Sequence, residues 1–180
     1  MKIRTTPSVI VRILLWGIML FGGAWYALRE DWDTPLFSSV WFHLLSAAIG
    51  AVVLLLAFRA AANGGRELAK GRQGDIPRLE TNTLVTTGIY RCMRHPMLFG
   101  LTLLPLGWGL LLGSPTFIFN IAPMEMLFII VMVIIFEEME VKRKFKEAYL
   151  AYSQEVPMVS FRKQCLKALF SNVKKKDKII

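Results

Sequence analysis

The sequence is poor in charge, in cysteine and in histidine, and each scarcity excludes a class of protein. Only 19% of the 180 residues are charged, whereas 54% are hydrophobic, which is too apolar for a disordered chain or an ordinary soluble domain. The two cysteines stand at no metal-ligand spacing from each other or from a histidine, so we predict no metal site. No Walker loop, G-x-G-x-x-G fingerprint or internal repeat is present, so no nucleotide-binding domain of those types is indicated.

Long apolar stretches are what the sequence has instead. Ile13–Leu28 carries no charge, Leu36–Phe58 has His43 as its only titratable side chain, and Leu98–Phe136 contains one charge, Glu125. As a straight helix the last stretch would be roughly 58 Å long, which is about two bilayer crossings. It must therefore fold back on itself.

Gly113-Ser114-Pro115 is the predicted turn, because glycine ends a helix, serine caps the next one and proline suits its first position. We predict an all-α integral membrane protein with about four transmembrane helices, of which the third and fourth form a helical hairpin. The predicted spans cover about residues 9–29, 36–61, 96–113 and 116–140. Residues 1–160 would form the membrane domain and residues 161–180 a basic amphipathic tail.

The positive charges predict the orientation of these spans. All but one of the 22 lysines and arginines fall before the first span, between the second and third, or after the fourth. By the positive-inside rule both termini are cytoplasmic, which places the protein in the inner (cytoplasmic) membrane. The net charge of +9 then reflects topology and contact with anionic lipid rather than nucleic-acid binding. Since Cys92 and Cys165 lie on the reducing side, we predict no disulfide.

The tail has apolar side chains at helical spacing among its lysines. This pattern predicts a helix that lies on the anionic inner leaflet, and the alternative is a partly disordered, solvated tail, especially after Val173. The apolar positions are Phe161, Leu166, Leu169, Phe170 and Val173.

The segment from Thr83 to Gly100 is the first candidate for chemistry. Pro96 suits the first position of the third span, whose cap region includes His95. Free backbone N–H groups at that helix start, together with Arg91 and Arg94, would form an anion site at the cytoplasmic surface. The alternative is that the arginines only anchor the span.

The second candidate is the glutamate pair at the end of the fourth span. Glu138 has Lys142 four residues on, which is an ordinary helix-surface pair, whereas Glu137 has no such partner. His95 lies 19 residues before Ser114 and Glu137 lies 23 after it, so the two arms of an antiparallel hairpin return to nearly the same level. We predict that the helix start and Glu137 face one cytoplasmic-interface cavity, suited to a zwitterion such as an amino-acid moiety.

Several ordered motifs resemble known membrane methyltransferases. L-V-T-T-G-I-Y-R, R-H-P-M-L-F-G, the glutamate pair and F-K-E-A-Y-L-A-Y resemble the isoprenylcysteine carboxyl methyltransferase family. The third and fourth spans also resemble phospholipid methyltransferases. The resemblance covers about Asn82 to Pro157 and implies a methyltransferase domain that binds S-adenosylmethionine, and its product S-adenosylhomocysteine, at the cytoplasmic interface without a Rossmann domain.

The resemblance also implies the site residues. Glu137, Glu138 and Arg94 would be the catalytic set, with a glutamate meeting the amino group or the sulfonium of the cofactor. The implied cofactor-binding residues are Asn82, Thr83, Leu84, Val85, Tyr90, His95, Pro96, Met97, Leu98, Glu137 and Glu138.

Four positions depart from the prenylcysteine enzymes. Asn82 replaces a histidine, Leu98 replaces a tyrosine, and Lys146 replaces the glycine of the F-G-x-x-Y element. Val133 stands where those enzymes have an arginine assigned to the substrate, which argues against a prenylcysteine carboxylate here.

These inferences predict a membrane-embedded enzyme that moves a methyl group from S-adenosylmethionine to a lipid or other apolar acceptor. The alternatives are a nicotinamide-dependent membrane reductase of related architecture and a non-enzymatic membrane scaffold. No dedicated base is evident. His95 and Tyr90 are the nearest candidates, and we interpret His95 as a structural or cofactor-contacting residue. We interpret His43 as a satisfied packing or interface histidine, with a catalytic role as the alternative, and Glu125 as a similar case that pairs with another span.

Overall fold

The computed structural model describes residues 14–74 and 81–171. Within these ranges the regular structure is helical and no strand occurs, which confirms the all-α class. The chain divides into two compact units, one made of Met1–Leu55 with Thr102–Ile129 and the other of Leu56–Leu101 with Ile130–Ile180. The start of the predicted first span and the end of the tail, including Val173, lie outside the described residues.

The helices follow the predicted order. The α-helices within the described ranges are α1 (Gly23–Asp31), α2 (Val40–Lys70), α3 (Pro96–Leu112), α4 (Ala122–Met132), α5 (Glu138–Glu155) and α6 (Lys163–Phe170). Short π-helical turns cover Ile18–Gly22, Phe117–Ile121 and Val133–Glu137, and a 3-10 helix covers Gly88–Arg91.

Two helices are long and apolar enough to cross a membrane. They are α2 and the continuous helix Phe117–Glu155, which contains α4 and α5. Helix α3 has 17 residues and is about 25 Å long, somewhat short of a full crossing. Two of the four predicted spans thus have the required length and composition. Helix α2 continues to Lys70, beyond the predicted span 36–61. The helix Phe117–Glu155 likewise continues beyond the predicted span 116–140.

The predicted turn between α3 and the next helix is confirmed in the first unit. Helix α3 ends at Leu112, and Gly113 has a φ of +63°, which glycine adopts without strain. The Ser114 hydroxyl accepts the Phe117 N–H at 3.1 Å, as a helix cap does. The His43 imidazole lies directly against Gly113 and its Nε2 is 2.6 Å from the Phe37 carbonyl oxygen, so His43 is the packing residue that we predicted.

Asp31 joins the end of α1 to this turn, a role that its place among three loop acids did not predict. Its side chain is 0% exposed. The carboxylate accepts the Ser114 hydroxyl and, at 3.1 Å, the Thr116 N–H. One buried carboxylate therefore supplies acceptors for two donors at the start of a helix, where backbone N–H groups lack partners.

Two glycines of the first unit, Gly23 and Gly107, allow close contacts, and Glu125 makes one of them. Among the described residues Glu125 Oε2 has no hydrogen-bond partner, and the partner predicted for it on another span is not found there. Its side chain rests on Gly23, where a Cβ would come within 3.1 Å of Oε1. A Cβ on Gly107 would lie 2.8 Å from the Leu54 side chain, so this glycine allows α3 to pack closely against α2 there.

Replacing Asp31 by alanine should lower the free energy of unfolding by about 1–3 kcal/mol, because the Ser114 hydroxyl and the Thr116 N–H lose their acceptor. Thermal unfolding in detergent would measure this. Asp33→Ala is the matched control, since Asp33 is exposed two residues further on. Equal unfolding temperatures for the two variants would contradict the role given to Asp31.

The core of the second unit includes the tail helix α6. Leu169 is fully buried in a cluster with Ile89, Tyr90 and Met93. The Asn63 amide donates to the carbonyl of Leu169 and, at 3.1 Å, to that of Ser171. Helix α6 therefore turns apolar side chains toward the protein itself, which the prediction of a leaflet-bound tail did not foresee. Its contact with lipid stays a prediction.

Cys92 and Cys165 form a disulfide, so the prediction of free thiols is wrong. Cys92 directly follows the 3-10 helix and Cys165 lies on α6, and the packing of α6 brings their Cα atoms to 5.6 Å. That separation is typical of disulfides. The prediction relied on compartment alone, whereas proximity follows from a docking of α6 that the sequence did not reveal. On the cytoplasmic side that the charges predict, this disulfide is an exception to the rule for that compartment.

Helix α5 is kinked at Lys146, whose φ of 46° and ψ of −124° are not helical. Glycine adopts such angles readily and other residues rarely do. Lys146 is the residue that occupies the glycine position of the F-G-x-x-Y element, so the departure noted in the sequence coincides with the strained position of the helix.

Lys146→Gly should raise the free energy of unfolding by about 1 kcal/mol, because the strained backbone is relieved. Lys144→Gly, two residues earlier in regular helix, should lower it by about 1 kcal/mol. Denaturant or thermal unfolding of both variants in the same detergent tests the difference in sign. A loss of stability in both would show that Lys146 is not strained.

Candidate active site

The loop at residues 81–87 carries the first four predicted cofactor residues and is tied to the end of α2. The Asn82 amide accepts the Gln73 N–H at 2.9 Å and donates to the Gln73 carbonyl at 2.7 Å. The Thr83 hydroxyl donates to the Gly71 carbonyl at 2.5 Å. Leu84 and Val85 pack into apolar clusters. These side chains thus hold the loop in place.

A buried glutamate supports the next turn and was missed in the sequence. Glu67 accepts the Thr87 hydroxyl at 3.1 Å and lies 2.8 Å from Lys70 Nζ. Its carboxylate fills the space beside Gly88, where a Cβ would be only 2.5 Å away and where φ is +56°. The predicted second span ends at residue 61, which places Glu67 in the loop that follows it. The spacing of Glu67 and Lys70, three residues apart, is the feature of the sequence that indicates a longer helix.

Tyr90 lies in the 3-10 helix with its ring buried in the core of the unit. Its carbonyl accepts the Tyr152 hydroxyl at 2.6 Å. Burial, followed by the nearby Tyr152, Glu137 and Glu67, raises the pKa of Tyr90 well above its usual value. The phenol stays protonated near neutral pH, so Tyr90 cannot serve as a base there.

The start of α3 has fewer free backbone N–H groups than predicted. The N–H groups of Arg94 and His95 donate to the carbonyls of Pro157 at 3.0 Å and Met158 at 3.1 Å. Pro96 and Leu98 are buried, and the Met97 nitrogen rests against Gly64, 3.1 Å from the position of a Cβ there. The His95 amide, which the open anion site would have used, is therefore already occupied.

Glu138 is the centre of a buried network. Its Oε1 accepts Arg94 Nη1 at 2.6 Å, His95 Nε2 at 2.8 Å and the Tyr149 hydroxyl at 2.6 Å. Glu138 is 7% exposed, and its Oε2 is 3.7 Å from Lys142 Nζ. The helix-surface pair predicted for Glu138 is present, but its main partners lie elsewhere in the chain.

Arg94 is locked into this network as a cation. Its Nη1 donates to the Tyr149 hydroxyl at 3.0 Å as well as to Glu138. Burial opposes the charged form, but the Tyr149 hydroxyl and the Glu138 charge outweigh it and raise the pKa of Arg94. Arg94 Nε is buried and has no hydrogen-bond partner among the described residues. Tyr149 belongs to the motif F-K-E-A-Y-L-A-Y, but the sequence predicts no role for it.

Glu137 is the accessible member of the pair. Its side chain is 42% exposed and its Oε2 lies 3.7 Å from His95 Nδ1. The predicted proximity of His95 and Glu137 is confirmed by this contact, while their roles stay predictions. Val133, one turn earlier, is buried.

These features define a class of protein. Helices of membrane-spanning length and a buried cluster of charged side chains in the second unit describe a helical membrane protein with a polar site. A comparison with family models finds the phospholipid methyltransferase family, matched over residues 40–148, which is more than half of the chain. The chain belongs to the phospholipid methyltransferase family. No curated protein and no solved structure matches it.

The family match begins well before the motifs from which a resemblance was inferred. It includes α2 from its first residue, and so it covers Asn63, Glu67 and Gly71. It ends at residue 148, just before Tyr149. The membrane methyltransferase character therefore extends to the helix that supports the 81–87 loop.

Tyr149→Phe should lower the free energy of unfolding by about 1.5–3 kcal/mol, because a hydroxyl that bonds two buried charges is lost. Tyr26→Phe is the control, since Tyr26 is exposed in α1. Thermal unfolding of both variants in detergent measures the difference. An unchanged unfolding temperature for Tyr149→Phe would mean that the Glu138 network does not depend on this hydroxyl.

Proposed function

We propose that this protein transfers a methyl group from S-adenosylmethionine to a lipid acceptor. The supporting observation is an accessible carboxylate, Glu137, beside the buried network of Arg94, His95 and Glu138. A carboxylate at the edge of such a network fits the ammonium of an amino-acid moiety. S-adenosylmethionine and its product both carry that moiety, and the family is one of methyltransferases.

The two glutamates have different tasks in this proposal. Glu137 is exposed enough to meet the ammonium or the sulfonium charge of the cofactor. Glu138 is saturated by three donors on one oxygen, so it positions Arg94 and His95 rather than binding a ligand. The further lining is formed by the residues at 82–85, Tyr90 and the start of α3.

Methyl transfer requires little covalent catalysis by the protein. S-adenosylmethionine, when bound, supplies an electrophilic methyl carbon, and displacement at that carbon is in line. The chain's own contribution is to hold the reactants in position and to place charge where it is needed. The hydrogen-bond network of Glu138 holds the side chains of the site in position. Glu137 places a negative charge beside the bound cofactor.

A lipid acceptor suits the surface of the protein as well as the family. Helix α2 exposes a row of large apolar side chains, which suits contact with acyl chains. Its exposed residues include Val40, Trp41, Leu44, Leu45, Ile49 and Val52. We place the site at the cytoplasmic face of the inner membrane with both termini cytoplasmic, because the basic residues cluster on that predicted side.

Isothermal calorimetry with S-adenosylhomocysteine on detergent-solubilised protein tests the proposal. We expect Glu137→Ala to weaken the affinity about 10- to 100-fold, the value of one charge-assisted contact. Glu140→Ala is the matched control, since Glu140 is an exposed carboxylate on the same helix, and it should bind as the unmutated protein does.

Three outcomes would contradict the proposal. Absence of binding by the unmutated protein would exclude cofactor use, and binding of a nicotinamide cofactor instead would favour a reductase. Binding without transfer of labelled methyl into any membrane lipid fraction would favour a non-enzymatic scaffold.

A further inference from the structure

The hydrogen bonds of Glu138 determine which nitrogen of His95 carries the proton. Glu138 Oε1 accepts from Arg94 Nη1 and the Tyr149 hydroxyl, and it lies 2.8 Å from His95 Nε2. An oxygen that already receives these two donors carries no proton of its own, so toward His95 it can only accept. The proton of a neutral His95 must then be on Nε2, an assignment made from the partners of the ring.

This tautomer leaves Nδ1 as the basic nitrogen of His95. The residue that Nδ1 faces is Glu137, whose Oε2 is 3.7 Å away. The Nδ1 side of the ring therefore faces Glu137, the accessible carboxylate. The Nε2 side is held by Glu138, the buried carboxylate. A carboxylate that holds one imidazole nitrogen so that the other can take up a proton is the usual arrangement of a histidine base.

We propose that His95 is the general base of the reaction and that Glu138 positions it. The inference rests on the proposed function with an ammonium group as the acceptor, because such a group must lose a proton before it can attack. The N–H bond of the acceptor breaks and its electron pair stays on nitrogen. The proton bonds to Nδ1, and the imidazolium later releases it to water.

The charges around His95 suit this exchange. Glu137 and Glu138 face it from the helix Phe117–Glu155, and Arg94 precedes it in the chain. Lys142 is joined to the group through Glu138 Oε2. The two carboxylates stabilise the imidazolium that forms, and Arg94 offsets the charge of one of them.

The tautomer can be tested without cofactor or substrate. The chain has only two histidines, so nitrogen NMR of the ¹⁵N-histidine-labelled protein gives two imidazole spin systems, and His43→Gln assigns them. We expect the neutral form of His95 to carry its proton on Nε2 and none on Nδ1. The opposite tautomer in the unmutated protein would overturn the proposal even if no His95 variant folds.

The pH dependence of methyl transfer tests the role of the base. His95→Gln can still donate to Glu138 from its amide but cannot accept a proton. We expect its rate of transfer into phosphatidylethanolamine vesicles at pH 7 to fall about 100-fold, with S-adenosylhomocysteine affinity changed less than about threefold. The rate should recover toward that of the unmutated protein as the pH approaches about 10, where an amine loses its proton in water.

The failures of the two proposals are distinguishable. If the unmutated protein neither binds S-adenosylhomocysteine nor transfers methyl at any pH, the proposed function fails. If it does both, and His95→Gln shows the same fractional loss of rate at every pH, His95 is structural and the inference is overturned. Glu140→Gln, an exposed control on α5, should leave both the rate and its pH dependence unchanged.

Discussion

The three hydrogen bonds to one oxygen of Glu138 are the constraint on which the site depends. A carboxylate buried without partners would be costly, and here a guanidinium, an imidazole and a phenol compensate for the lost water. The partners come from two parts of the second unit. Arg94 and His95 precede α3, and Tyr149 follows the kink in α5. The charge of Glu138 thus fixes the geometry of residues that are far apart in sequence.

The same constraint separates the functions of two adjacent glutamates. Successive residues of a helix point about 100° apart, so one of a pair can enter the core while the other stays at the surface. The π-helical turn Val133–Glu137 ends between them and sets which one enters. Because Glu138 is committed to its donors, Glu137 is the carboxylate that a ligand can reach.

The apolar pattern was sufficient to predict the helical class and the turn at Gly113, since both follow from local sequence. It was also sufficient to predict that His95 and Glu137 meet, because equal arm lengths in a hairpin set their level. The buried polar contacts could not be predicted in this way. Asp31, Glu67 and Tyr149 look like surface residues in the sequence. Each has a hydrogen-bond partner that is distant in the chain: Ser114 at 83 residues, Thr87 at 20 and Glu138 at 11, respectively.

The disulfide between Cys92 and Cys165 has a consequence for the order of assembly. It closes a covalent ring between positions 73 residues apart, and the ring contains α3, the turn at Gly113 and the whole of α5. During synthesis the bond can form only after both arms of the hairpin and the tail helix have left the ribosome. Its closure therefore marks a chain in which His95, Glu137, Glu138 and Tyr149 have all been made, and it fixes the ends of the segment that brings them together.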